Sequence, residues 1–271
     1  MTVAASPVLR ESLADDLRAL GVREGGVLLA HASLSRLGWV AGGEQTVVLA
    51  LQDALGPDGT LVMPSQSWQL CDPEYLADPR VPPHSWDAVR AGLPAYDAAW
   101  TPTRTMGAVV EALRAQPGTV RSSHPHRSFV ARGPHAAEVV ARHELTDPVG
   151  EGSPLSAVDR LDGQVLLLGV GHEKNTSLHL AEARSGLPTA YVRNGAPMLV
   201  DGRRQWIAFE EPVVDDADFG AVGRAFAAAG GERSGPVGHA RASLMGQREL
   251  VRFAAHWFAV NRRRTPPAPA G

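Results

Sequence analysis

Two side chains three residues apart, His179 and Glu182, are the pair in this chain best placed to move a proton. Both fall within residues 163–186, GQVLLLGVGHEKNTSLHLAEARSG. A histidine titrates near neutral pH, and a carboxylate beside it can hold its ring in one orientation. At i, i+3 on a helix the two share a face. The same spacing occurs on ordinary solvated helices, so what precedes it matters. The run Val165 to Leu168 is short, apolar and bounded by glycine, as expected of a strand buried on both faces. Gly169 and Gly171 break it, Asn175 or Thr176 can cap the helix that follows, and Gly186 can end it. A buried strand, a glycine-rich turn and a helix bearing a hydroxyl, an imidazole and a carboxylate is the layout of ligand sites at the carboxyl ends of strands in open α/β sheets.

A second strand, Val27 to Ala30, runs directly into His31 and a small-residue loop, Ala32 to Gly38. Short side chains there let backbone N–H groups face a phosphate, and Arg36 could add charge, although a serine-rich turn can also be only a turn. Residues 43–55 read as a helix with Val47, Val48, Leu51 and Leu55 inward, and residues 59–64 as a third buried strand. This alternation argues for βαβ units and a mostly parallel sheet. Periodicity then vanishes from Ser65 to Pro102, a stretch carrying Trp68, Trp86 and Trp100 among acidic residues. A loop this long is either the wall or lid of a site, suited to a polyamine or amino-sugar ligand, or a structural excursion stapled by tryptophans. A helix follows over residues 107–116. Arg121, Arg127, Ser122 and Ser123 suit an anionic ligand. His124 and His126 alternate as metal ligands would, but Pro125 stands between them and no acidic or cysteine partner follows at zinc spacing, so no metal is expected. Residues 134–143 read as a short helix. Further on, residues 189–192, 198–200 and 206–209 read as a small antiparallel meander with hairpin turns at Asn194-Gly195 and Asp201-Gly202. Helices over 216–229 and 246–264 complete the chain. The expected architecture is a three-layer α/β/α sandwich, with residues 8–264 as one domain between disordered tails at 1–7 and 265–271.

The 271 residues are 44% hydrophobic and 20% charged, ordinary for a globular chain. A net charge of −3 supplies no basic field for nucleic acid. The single cysteine, Cys71, excludes an internal disulfide and a cysteine-based zinc site; as a nucleophile it lacks a partner motif. No signal-peptide core and no apolar run of about 20 residues is present, so the expected setting is cytoplasmic, without membrane contact.

Several strings occur together in order: HASLSRLG at 31–38, TPTRTMG at 101–107, RSSHP at 121–125 with Ser128-Phe129, and GVG at 169–171 with TSLHLAE at 176–182. On this ordered set the chain resembles the aminoglycoside 3-N-acetyltransferase family, over roughly residues 10–260. Ala32 departs from the serine that the family prefers there. The resemblance implies an α/β/α acyltransferase using acetyl-CoA as cosubstrate and acetylating the 3-amino group of the 2-deoxystreptamine ring of an aminoglycoside, a cationic acceptor. It implies His179 as general base oriented by Glu182, Thr176 as an oxyanion donor, and His31 in contact with the amine or the thioester. Coenzyme A is expected along Ser33, Leu34, Ser35 and Gly38, with Thr103, Met106 and Gly107 opposite and Arg121 and Ser123 at the phosphates. The cationic acceptor needs carboxylates, drawn from Asp72, Glu74, Asp147, Glu182, Glu211 and Asp216. Rival readings are acetylation of another small amine in biosynthesis, a metal-dependent hydrolase using His124, His126, His172 and His179, and a coenzyme A-binding regulator without turnover. The oligomeric expectation is a monomer or homodimer.

Overall fold

The computed structural model describes residues 6–262. The helix α1 (Arg10–Leu20) buries Leu13, Ala14, Leu17 and Leu20 and stops at Gly21, whose left-handed backbone returns its N–H to Arg18 O and Leu17 O. The strand β1 (Val27–Ala32), the helix α2 (Gly43–Leu55) and the strand β2 (Thr60–Pro64) follow. Two short helices, α3 (Pro73–Leu76) and α4 (Trp86–Gly92), fill the stretch without periodicity, and α5 (Ala108–Ala115) closes it. Next come β3 (Val120–Arg121), β4 (Phe129–Arg132), α6 (Ala136–Val140), α7 (Pro154–Arg160), β5 (Gln164–Leu168) and α8 (Ser177–Arg184). The chain ends in β6 (Tyr191–Val200), β7 (Arg203–Pro212), α9 (Phe219–Ala228), β8 (Arg233–Val237), β9 (Ala240–Gly246) and α10 (Gln247–Asn261).

Seven strands form one mixed sheet in the order β3-β4-β2-β1-β5-β9-β8, and β6 with β7 forms a separate antiparallel ribbon. Parallel pairing is confined to the centre, where β1 lies between β2 and β5. The flanking pairs are antiparallel. Because strand side chains alternate faces, the central strands feed two cores. Leu28 and Leu166 join Leu51 and Leu113 beneath α1, α2 and α5. Leu29 and Leu167 join Leu180 and Phe258 beneath α7, α8 and α10. This is the expected three-layer α/β/α sandwich, but the sheet is mixed where a mostly parallel one was expected: two of its six strand pairings are parallel, because the outer strands β4 and β9 return antiparallel to the centre. It sets the carboxyl ends of β1, β2 and β5 side by side, at Ala32, Pro64 and Leu168.

Three local expectations need correction or limits. Asn194-Gly195 is not a turn: it lies inside β6, paired across to Phe209 and Ala208. The pair is strand because its groups are used there. Asn194 is buried and bonds Glu211 at 2.8 Å, and a Cβ on Gly195 would fall 2.8 Å from the Trp206 ring. The meander is therefore a two-stranded ribbon turning only at Asp201-Gly202. Strands β8 and β9 had no reading in the sequence. Of the expected tails, 1–5 and 263–271 lie outside the described residues. Ser6 accepts a hydrogen bond from His239 Nε2 at 2.9 Å, and Val8 bridges to Val40. No helix among the described residues is long and apolar enough to cross a membrane.

Candidate active site

A cleft of about 790 Å³ opens at the carboxyl ends of the three parallel strands. Its floor is Ala30 to Ser35 at the end of β1 and just beyond it, Pro64 and Gln66 at and after the end of β2, and Val170 with Glu173 to Thr176 after β5. The first turn of α5 and residues 105–107 form one wall, and Trp68, Tyr75 and Arg127 another. Backbone that leaves a buried parallel strand has no further ladder partner, so loops with free polar groups gather at this edge.

His179 lies on α8 and faces the cleft. Its Nδ1 stands 2.6 Å from Glu182 Oε2, one helical turn on, and both side chains are about 13% exposed. A carboxylate accepts but cannot donate, so in the neutral ring it favours the tautomer with the proton on Nδ1, which leaves the Nε2 lone pair free to accept. The Phe219 ring packs on the imidazole with centroids 4.8 Å apart. The other Glu182 oxygen accepts from Arg262 Nη1 at 2.5 Å and from the Asp215 N–H at 3.2 Å.

The Thr176 hydroxyl makes no capping bond to α8, because Asn175 does the capping. Asn175 is buried, and its Oδ1 accepts the Ser177 N–H at 3.2 Å. Thr176 Oγ1 makes a long 3.4 Å contact with His31 Nε2 instead. His31 is 6% exposed, and burial pushes its imidazole down to about 3, so it stays neutral throughout the physiological range. A neutral histidine of that kind presents a hydrogen bond and is a poor proton acceptor. The structure thus separates the two histidines into an imidazole oriented by a carboxylate and a buried neutral one.

The expected cofactor residues divide. Ser33, Leu34, Ser35, Met106 and Gly107 line the cleft, with the Ser33 and Ser35 hydroxyls 3.2 Å apart. Gly38 does not: a Cβ there would meet the His239 ring at 2.8 Å, so its role is close packing at positive φ. Thr103 gives its N–H to Glu111. Arg121 is committed to the interior, donating to Thr101 O, Ser65 O, Ser67 Oγ and Ser128 Oγ, which leaves no fork for a phosphate. Ser123 is exposed outside the cleft. Arg127, by contrast, does line the cleft, 4.8 Å over the Trp68 ring.

The expected carboxylates divide as well. Asp216 lines the cleft, and Glu173 joins it without having been anticipated. Asp72 caps α3 and pairs with Arg90 at 2.8 Å, and Glu74 pairs with the same arginine at 3.2 Å. Asp147 holds the Gly152 N–H in its own loop. Glu211 is fully buried against Arg127 at 3.1 Å. These four carboxylates serve the fold because each has found a local donor or a distant cation.

The histidines of the hydrolase reading do not converge. His124 and His126 are buried with His143, and His172 pairs with Glu232 at 2.9 Å. Among the described residues, no group of three or more His, Cys, Asp or Glu is arranged to hold a metal. Cys71 is buried, which pushes its thiol up to about 12 and removes it as a nucleophile.

A sequence model described as aminoglycoside 3-N-acetyltransferase matches residues 29–259. The chain is 42% identical over 257 residues to the SPbeta prophage-derived aminoglycoside N(3')-acetyltransferase-like protein YokD of Bacillus subtilis, covering 94% of each. The crystal structure of YokD superposes with a TM-score of 0.93 over 97% of each chain. Aminoglycoside N(3)-acetyltransferase VIII of Streptomyces fradiae is 41% identical, covering 94% of this chain and 93% of the relative. A solved binary complex of AAC-IIIb with CoASH is 33% identical, with a TM-score of 0.85 over 97% of this chain and 100% of the other. With that coverage and identity, this chain belongs to the aminoglycoside 3-N-acetyltransferase family.

Proposed function

We propose that the protein transfers the acetyl group of acetyl-CoA to the 3-amino group of an aminoglycoside's 2-deoxystreptamine ring, with His179 as general base, and so confers resistance. The observation that carries the base assignment is the His179–Glu182 pair in a cleft at the strand ends. Family membership and the coenzyme A-bound relative support the cosubstrate.

The chemistry follows from what each group can do. An ammonium cannot attack, so the acceptor must lose a proton, and Nε2 of His179 is the atom that takes it. The amine nitrogen then bonds to the thioester carbonyl carbon. The oxyanion formed lies within reach of a hydroxyl donor, for which Thr176 beside the neutral His31 is the choice. Collapse breaks the C–S bond, and the proton held by His179 passes to the departing thiolate. Coenzyme A runs along Ser33, Leu34 and Ser35, facing Met106 and Gly107. Asp216 and Glu173 offer their carboxylates to the ammonium groups of the acceptor.

One observation favours a second reading within the same reaction. Lys174 stands in the cleft with Glu173 and Asp216, and Arg127 is already paired with Glu211, so the lining is only weakly negative. A less cationic small amine would suit that lining better than a polyamine.

Thiol release from acetyl-CoA with a panel of aminoglycosides and simple amines tests both readings. Turnover with the antibiotics, falling about 10²-fold or more in His179→Ala, is the expected result. Wild-type rates in His179→Ala would remove that residue from the reaction. Turnover with simple amines alone would select the second reading.

A further inference from the structure

We propose that Arg262, at the end of the last helix, is a positioning residue that sets the His179–Glu182 pair and the acceptor-facing loop at the same time. The inference rests on the assignment of His179 and Glu182 above.

Arg262 is the residue following α10, and its guanidinium is divided between two jobs. Nη1 donates to Glu182 Oε1 at 2.5 Å, the oxygen that His179 does not use. Nε and Nη2 grip Asp218 in a two-pronged ion pair at 2.9 and 2.6 Å, and Nη2 also donates to Asp215 O at 2.8 Å. The central carbon of the guanidinium, Cζ, sits over the Phe258 ring, 4.0 Å from the centroid. A planar fork so engaged has little freedom to turn.

The loop it holds is the one that faces the acceptor. Residues 215–218 carry Asp216, which lines the cleft, and lead into Phe219, whose ring packs on His179. The Asp215 N–H closes the circuit by donating to Glu182 Oε1. Glu182 is therefore held from three sides, by His179, Arg262 and backbone. Without the guanidinium its carboxylate could rotate about its side-chain torsions, and the imidazole would lose a fixed partner. A displacement of about 1 Å at a reacting group can cost about 10²-fold in rate.

Kinetics on the full chain separate this role from a plain structural one. Arg262→Gln is expected to lower kcat by between about tenfold and about 10²-fold and to raise KM for the acceptor, while KM for acetyl-CoA stays unchanged. Asp218→Asn, which loosens only the loop, should raise KM for the acceptor and leave kcat close to wild type. In a Glu182→Gln background, Arg262→Gln should lower kcat little further, because the link it serves is already cut. Arg262→Lys, which keeps the charge but not the fork, should recover part of kcat and guards against a variant that fails to fold. The proposal is overturned if Arg262→Gln lowers the melting temperature but leaves all three constants alone, or if its effect on kcat is undiminished in the Glu182→Gln background. A wild-type kcat in Glu182→Gln alone would instead refute the base–orienter assignment.

Discussion

Lowering the pH should unfold this protein well above the range in which its carboxylates become protonated, because several histidines are buried as neutral rings. His143 is 7% exposed and His126 fully buried, and burial pushes both down to about 4; His31 is pushed down to about 3 by the same cause. His124, fully buried between His126 and His143, is held well below its ordinary value, first by burial and then by those neighbours. The charged groups beside this cluster are Arg127, which disfavours a second cation, and Glu211, which favours one at His126 but is already paired with Arg127. In the unfolded chain each histidine titrates near 6.5. Below that pH the unfolded chain binds protons that the native state refuses, so stability falls as pH falls, by about 1.4 kcal/mol per pH unit for each histidine. From about pH 7 to about pH 5, each of His31, His126 and His143 loses about 2 kcal/mol, or about 6 kcal/mol together. That approaches the whole stability of an ordinary domain, about 5–15 kcal/mol. Urea unfolding followed by tryptophan fluorescence at about pH 7, 6 and 5 measures the slope directly. His143→Gln serves as the internal control. It removes a ring whose Nδ1 meets Ser122 Oγ at 2.8 Å and whose Nε2 meets Pro148 O at 2.9 Å, and it should reduce the slope by about 1.4 kcal/mol per pH unit. A stability that is flat between about pH 7 and pH 5, or a slope unchanged in His143→Gln, would refute the reasoning.

Two further variants test how the cleft is supported. Glu211→Gln strands the Arg127 guanidinium, since the two side chains are 0% and 4% exposed; the loss should be about 3–5 kcal/mol, read as a fall in Tm of about 10 °C, and a fall within about 2 °C would show that the pair is not holding this wall. Gly169→Ala puts a Cβ at φ +69, 2.7 Å from Arg36 Cβ, just where the chain leaves β5 for the cleft; it should cost about 1–2 kcal/mol and raise KM for acetyl-CoA, and an unchanged Tm and KM together would refute the view that this turn needs glycine.

The residues that could be read from sequence are those whose surroundings are local. Val27 to Ala30 and Val165 to Leu168 announce buried strands because both their faces are covered, so every position is apolar. The helix over Gly43–Leu55 matches its expected limits because apolar spacing and a terminal glycine lie within one stretch. His179 and Glu182 were legible for the same reason: one helical turn joins them. The edge strand β8, Arg233–Val237, carries arginine, serine, glycine and proline, as a partly solvated edge permits, and so gave no alternating signal.

The site residues that went astray failed through distance along the chain. Arg121 looked free for a phosphate, but its donors end on Ser65 and Ser67, more than 50 residues earlier. Asp72 looked free for an amine, but its partner Arg90 lies 18 residues on, and Arg127, the partner of Glu211, lies 84 residues before it. Arg262, 80 residues from Glu182, gave no hint of its position beside it. Spacing shows which side chains are able to do chemistry, whereas whether each is spent on holding the fold is settled by partners that only the folded chain brings near. A charged residue that appears idle in a sequence is therefore weak grounds for a ligand contact until its nearest partner is known: in this cleft Glu173 already takes the Gly171 N–H on one oxygen, and Asp216 is the carboxylate among those discussed whose side chain meets neither a cation nor a backbone donor of the described residues.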